Sequence, residues 1–110
     1  VWVLPLCWGD ERLKNEEGKK LHSTQKSVEL LKRVILTSTK EGDLVLDPVA
    51  GTGTTGYVAQ ALKRNFIMIE INPKYVKGIE KRFKHPLKIT NHLYPSKKYI
   101  NNYMNLEEFK

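Results

Sequence analysis

Two carboxylates, Asp47 and Glu70, stand on either side of a glycine-rich loop. That combination suits a ligand bearing hydroxyls, an ammonium and an anionic end. The loop reads Asp47-Pro48-Val49-Ala50-Gly51-Thr52-Gly53-Thr54-Thr55-Gly56, with Gly51, Gly53 and Gly56 at G-x-G-x-x-G spacing. No Cβ intrudes at Gly51 or Gly53, so a ligand can approach the backbone closely there. Glu70, 19 residues beyond Gly51, is a carboxylate suited to accept hydrogen bonds from two ribose hydroxyls. Thr54 and Thr55 open a helix whose hydroxyls and free N–H groups can reach a carboxylate.

These residues need a framework that brings them together. Leu44, Val45 and Leu46 form a short apolar run after Glu41-Gly42-Asp43, closed by Pro48, which predicts a strand. A helix is expected from about Thr54 to Lys63, with Val58, Ala59 and Leu62 on one face. Phe66 to Ile69 is four apolar residues in a row, the pattern of a strand covered on both faces. Parallel strands joined through a helix cross over right-handed, so the glycine loop and Glu70 meet at one carboxyl edge.

The glycine spacing and Glu70 alone also describe a dinucleotide site. In that fold, however, the first glycine follows the strand closely and pyrophosphate sits on the helix N-terminus. Here Asp47-Pro48-Val49-Ala50 intervene, and a carboxylate beside pyrophosphate repels it. Beside the ammonium of a methionine moiety the same carboxylate attracts, through a charge-assisted hydrogen bond. The details therefore favour S-adenosyl-L-methionine. A phosphate loop is excluded because no lysine follows the glycines. A tight strand-to-helix turn with no ligand is the plainer alternative.

The residues carry a family resemblance. Asp47 to Thr55 resembles the cofactor loop of beta-class DNA amino-methyltransferases, usually Asp-Pro-Phe-x-Gly-Ser/Thr-Gly-Thr-Thr. Upstream, His22-Ser23-Thr24-Gln25-Lys26-Ser27 resembles their His-Ser/Pro-Thr-Gln-Lys-Pro segment, and Arg64 to Glu70 resembles Arg-Asn-Phe-Ile-Gly-Ile-Glu. The ordered match runs from about Val1 to Arg82. Val1 to Gly18, with Glu11-Arg12-Leu13-Lys14, is similar to the adenine-methylating branch near enzymes that modify GANTC-type sites.

The resemblance implies an α/β fold: a fragment of a Rossmann-like methyltransferase fold, with a parallel sheet flanked by helices. It implies methyl transfer from S-adenosyl-L-methionine to an exocyclic amine, adenine N6, of a base flipped from duplex DNA, in a restriction–modification setting. It also implies the roles of individual residues. Lys26 faces the cofactor carboxylate, with Ser23, Thr24 and Gln25 beside it. Asp47, followed by Pro48, takes the ammonium. Gly51, Thr52, Gly53, Thr54 and Thr55 form the loop, Glu70 holds the ribose, and Ile71 and Asn72 edge the adenine. Several positions depart from the pattern. Val49 replaces phenylalanine, an aromatic wall beside the cofactor, and Ser27 replaces proline, where it can cap the next helix. Met68 and Lys63 each replace a glycine.

The largest departure is an absence. The family's Asp/Asn/Ser-Pro-Pro-aromatic segment holds the target amine, and nothing in this chain reads that way. No catalytic residue is therefore nominated. The chain is expected to be the C-terminal part of a longer enzyme or the cofactor-binding subunit of a split one, with a catalytic half as partner. A non-catalytic remnant is the alternative. Methyltransferases acting on RNA or protein are disfavoured by the Thr-Gln-Lys segment, and a nicotinamide oxidoreductase by Asp47-Pro48.

The chain has 110 residues and net charge +7, enough for one domain with a modest core. Positive charge accumulates after residue 73, where Lys84, Lys88, Lys97 and Lys98 stand among Tyr94, Tyr99 and Tyr103. That pattern suits DNA phosphates, and equally a solvated lysine-rich tail whose tyrosines dock on the body. The division expected is 1–84 for the cofactor part and 85–110 for a basic extension. Cys7 is the only cysteine, which fits a reducing cytoplasm and a small buried side chain in an opening strand, Val1–Leu6. No metal site is indicated, and no apolar run is long enough to span a membrane. Further elements expected are a charged loop over Gly9–Lys20, a helix over Val28–Thr37 with Val28, Leu31 and Ile35 on one face, and a helix from Pro73 with Tyr75 or Val76, Ile79 and Phe83 inward. A short strand at Leu87–Thr90 and a helix after Pro95 complete the expected elements.

Overall fold

The computed structural model describes residues 4, 7, 11–22 and 24–87. Its elements run α1 (Val28–Ser38), β1 (Leu44–Asp47), α2 (Thr54–Ala61), β2 (Asn65–Met68) and α3 (Pro73–Phe83). The two strands pair in parallel, from Leu44 opposite Asn65 to Asp47 opposite Met68. The expected opening strand, the last strand and the terminal helix fall on residues largely or wholly outside those described, as does the basic tail beyond Leu87. Cys7 is buried, as expected, and sits in a bend. No helix among the described residues is long and apolar enough to cross a membrane.

Each long helix starts on a residue suited to satisfy free N–H groups. Ser27 caps α1, its Oγ accepting from the Leu30 N–H at 3.2 Å, as its type predicts. The Glu11 carboxylate accepts a second bond, from the Val28 N–H, and so fastens the 11–13 segment to the same helix end. Asn72 caps α3 by accepting from the Lys74 N–H at 3.0 Å, with Pro73 in the first turn. Residues 14 to 20, expected only as a polar loop, fold back on themselves through an antiparallel bridge between Lys14 and Lys20.

The core is small. Ile35, Val58, Ala59 and Leu62 are buried, with Val28, Leu31, Leu36, Val45 and Phe66 packed around them. Complete burial of Val58 and Leu62 stabilises by about 1.5–3 kcal/mol each. Helix α2 lies on both strands and α1 lies on α2. Gly56 is the closest point of α2 to the sheet: a Cβ there would stand 2.5 Å from Met68 Sδ and 2.9 Å from Phe66 Cδ2. Met68, at the position where the resembled pattern has glycine, therefore fills space that Gly56 vacates. Helix α3 joins the same side, with Phe83 5.7 Å from Tyr57 and 5.4 Å from Phe66 between ring centroids.

One expectation fails here. Phe66–Ile69 reads as a strand covered on both faces, yet β2 alternates between half-buried and exposed positions. Phe66 and Met68 face the helices. Ile67 and Ile69 face outward, beside Leu44 at 61% and Leu46 at 60% exposure. All three helices occupy one side, so among the described residues the opposite apolar face carries no cover.

The helix expected to reach Lys63 ends at Ala61 because the chain reverses there. Lys63 takes a left-handed φ of +62°, and its carbonyl accepts from the Gly42 N–H at 2.9 Å. Buried Arg64 then secures the reversal: it donates to Leu62 O at 2.7 Å, to Thr39 O at 2.8 Å and to Thr39 Oγ1 at 3.0 Å. Left-handed backbone costs a residue with a Cβ roughly 1–2 kcal/mol, and glycine gives back about half of that through its extra unfolded-state entropy. Lys63→Gly should therefore raise stability by about 0.5–1 kcal/mol. The gain would be read as a higher urea midpoint at unchanged slope.

Candidate cofactor-binding site

The carboxyl ends of β1 and β2 stop beside one another, and the loops leaving them build the site. After β1, the Asp47 carboxylate accepts from the Val49 N–H at 3.2 Å, which turns the chain out of the sheet. The Ala50 N–H returns to Ile69 O at 2.9 Å, and Gly53 N–H closes a turn on Ala50 O at 2.8 Å. Gly51 (φ +56°) and Gly53 (φ +73°) both lie in the left-handed region. At Gly53 a Cβ would also stand 2.8 Å from Ile79, so α3 presses on the loop from behind.

Glu70, at the end of β2, locks the two strand ends together. One carboxylate oxygen accepts from the Gly51 N–H at 2.7 Å and the other from the Asn72 N–H at 2.8 Å. Each oxygen retains a further lone pair, so the carboxylate can still accept from ribose hydroxyls.

A cleft of about 260 Å³ opens above the loop. Of the residues nominated from sequence, it brings together Thr24, Gln25, Lys26, Asp47, Gly51, Thr52, Thr54 and Thr55. Pro48, Gly53, Glu70, Ile71 and Asn72 border this assembly without lining the cleft, and Ser23 lies outside the described residues. Lys26 is exposed, its ammonium 3.0 Å from Thr24 O; the Asp47 carboxylate lines the same cleft.

Three nominated residues have structural duties that their motifs do not announce. Buried Gln25 spends both ends of its amide on the 11–13 segment, accepting from the Leu13 N–H at 2.9 Å and donating to Glu11 O at 2.8 Å. The Asn72 side-chain carbonyl caps α3. Thr54, 3% exposed, donates its hydroxyl to Lys26 O at 3.2 Å, joining the glycine loop to the Thr-Gln-Lys segment.

Two residues of the site escape the sequence reading. His22 lines the cleft: its Nδ1 accepts from the Thr24 N–H at 3.0 Å, its ring packs 4.6 Å from Tyr75, and its Nε2 faces Gly51. Its place at the head of the His22–Ser27 segment, two residues before Thr24, was the available signal. Arg82 is buried beneath the loop and donates to Thr52 O at 3.1 Å and Thr54 Oγ1 at 2.8 Å. It stands three residues after Ile79, on the inward face of α3, so helical spacing could have found it. Burial pulls its pKa down from the ordinary guanidinium value, against the opposing pull of Tyr57 and Glu11.

The arrangement defines a class: a parallel βαβ unit with a ligand cleft outside the carboxyl ends of its strands. Comparison gives the family. Residues 1–81 match the model of the N6/N4 methyltransferases, described as DNA methylase, and the chain belongs to that family. It is 61% identical over 84 residues to the Type II methyltransferase M.HinfI of Haemophilus influenzae, covering 76% of this chain and 23% of that protein. It is 51% identical over 82 residues to the Type II methyltransferase M2.DpnII of Streptococcus pneumoniae, covering 74% and 29%. The crystal structure of an M1.HpyAVI–SAM complex superposes with a TM-score of 0.55 at 45% identity, over 56% of this chain and 30% of that one. The chain thus spans less than a third of the length of these relatives.

Because Glu70 satisfies one amide on each side of the strand ends, its removal should cost stability even without a ligand. Hydrogen bonds to a charged group contribute about 1.5–3 kcal/mol each, less where water can replace the partner. Glu70→Ala should lower unfolding free energy by about 2–4 kcal/mol in urea titrations of the unliganded chain. A loss under about 0.5 kcal/mol would remove the bridge from the account of the fold.

Proposed function

We propose that this chain is the S-adenosyl-L-methionine-binding portion of a site-specific DNA methyltransferase acting on adenine N6. The observation that carries the reading is the pairing of opposite charges on one cleft. Lys26 and Asp47 line it together, with the opening turn of α2 between them. A methionine moiety carries an ammonium and a carboxylate, so this donor set complements it end to end. Asp47 takes the ammonium. Lys26 and the free N–H groups at Thr54 and Thr55 take the carboxylate. Gly51 and Gly53 leave room for close approach, and Glu70 is placed to receive the ribose hydroxyls. Val49, 82% exposed, and Ile71, 97% exposed, offer apolar surface to an adenine. Bound there, the cofactor supplies an activated methyl group on a sulfonium. The residues described bind and orient it; the group that holds the flipped base is assigned to polypeptide outside this chain.

The uncovered sheet face bears on the alternatives. Parallel sheets are ordinarily covered on both faces, and among the described residues nothing covers Leu44, Leu46, Ile67 and Ile69. That favours a unit completed by the catalytic half, on the same longer chain or as a separate subunit, over a free-standing remnant. Duplex DNA is then the substrate of the completed enzyme, and the basic tail is a second candidate contact with it.

Calorimetric titration with S-adenosyl-L-methionine tests the reading. Saturable one-to-one binding is expected, weakened by about tenfold or more in Asp47→Asn, which keeps a side-chain oxygen to accept from the Val49 N–H, and in Lys26→Met. Absence of binding by a chain shown to be folded, or binding indifferent to both substitutions, would sink it.

A further inference from the structure

We propose that Arg82 is a positioning residue for the amino-acid end of the cofactor, an assignment that rests on the cofactor reading above. Its guanidinium reaches the loop from α3, on the side away from the cleft, and is 7% exposed. One nitrogen, Nη1, donates to both Thr52 O and Thr54 Oγ1. These acceptors flank Gly53, the left-handed hinge of the loop, so one cation staples the two halves across it. The Thr54 hydroxyl, having accepted from Arg82, donates its own proton to Lys26 O. A hydroxyl polarised by a cation is the stronger donor. The relay Arg82–Thr54–Lys26 therefore fixes the separation of two chain segments that are otherwise remote in sequence. Those segments carry the two ends of the proposed carboxylate clamp, Lys26 and the opening N–H groups of α2.

The surroundings hold the guanidinium in that pose. The Tyr57 ring covers it, 4.5 Å from ring centroid to Cζ, in cation–π geometry. Tyr57 in turn donates its hydroxyl to His85 O at 2.5 Å, just past the end of α3. The buried positive charge also lies behind the α2 N-terminus, where it adds to the field that favours an anionic group. A lysine would keep the charge but could not reproduce the planar fork that rests on Tyr57.

The test separates positioning from simple support of the fold by using two ligands. S-adenosylhomocysteine carries the amino-acid end; 5′-methylthioadenosine has the same nucleoside and lacks it. In the full chain, Arg82→Met and Arg82→Lys should weaken S-adenosylhomocysteine by about tenfold or more and leave 5′-methylthioadenosine within about twofold. Equal losses for both ligands, or none for either, overturn the proposal. Should Arg82→Met not fold, Thr54→Val removes the same hydroxyl link with almost no change of shape and is held to the same two outcomes. If the unsubstituted chain binds neither ligand, the cofactor reading fails by itself, and amide hydrogen exchange still decides the part of Arg82. Faster exchange confined to residues 26 and 51–55 in the variants supports the staple, and unchanged exchange there overturns it.

Discussion

Two strand ends cannot carry a ligand site unless something fixes the loops that leave them, and here the Glu70 carboxylate does so. Its oxygens take the amide of Gly51 from one strand's exit and that of Asn72 from the other's. The first bond sets the height of the glycine loop above the sheet. The second sets where α3 begins, because Asn72 is also its cap. Helix α3 in turn brings Ile79 against Gly53 and Arg82 beneath the loop. A carboxylate suits this position because backbone N–H groups converge on it and charge-assisted bonds are the stronger kind. The same convergence fixes the carboxylate, so its remaining lone pairs point in set directions.

Much of the remaining order comes from two interior guanidiniums rather than from hydrophobic bulk. Among the described residues the buried apolar cluster has four members, a small core for this many elements. Arg64 fills the gap between the end of α1 and the end of α2, satisfying carbonyls that helix termini leave free. Arg82 does the corresponding work at the start of α2. Both are planar donors that can serve several acceptors at once, which a lysine could not do. Burial of such groups is tolerable because backbone oxygens and Tyr57 receive them.

Local pattern was enough to find the elements among the described residues. The 44–46 run, the 3.6-residue stripe of Val28, Leu31 and Ile35, and the proline opening α3 each announced themselves because each is a short-range property. The motif residues also converged: eight of those nominated line one cleft. What escaped was the double duty of polar side chains. Gln25 was nominated as a ligand neighbour, yet its amide is committed to residues 11 and 13, a partnership no spacing rule encodes. Arg82 belongs to no motif, although its place on the Ile79 face marks it as interior. The four-residue apolar run in β2 reads as a strand covered on both faces, but among the described residues only the Phe66 and Met68 side is covered, because an apolar run does not encode which layers pack on it.

That last mismatch links fold to site. The exposed stripe of Leu44, Leu46, Ile67 and Ile69 runs along the strands toward the edge where Val49 and Ile71 stand exposed. The stripe left uncovered among the described residues and the exposed apolar residues of the two loops are thus continuous. Polypeptide laid over the stripe would end beside the cleft, at the carboxyl edge where α/β folds bind their ligands. Covering the stripe would exclude water from one flank of the cleft, which strengthens each charged contact made inside it. The loop, Glu70 and Lys26 are ordered through bonds within this chain and need no second layer for that. The division falls between two kinds of interaction: local hydrogen bonds, which the described loops make among themselves, and burial of a sheet face, which takes a second layer.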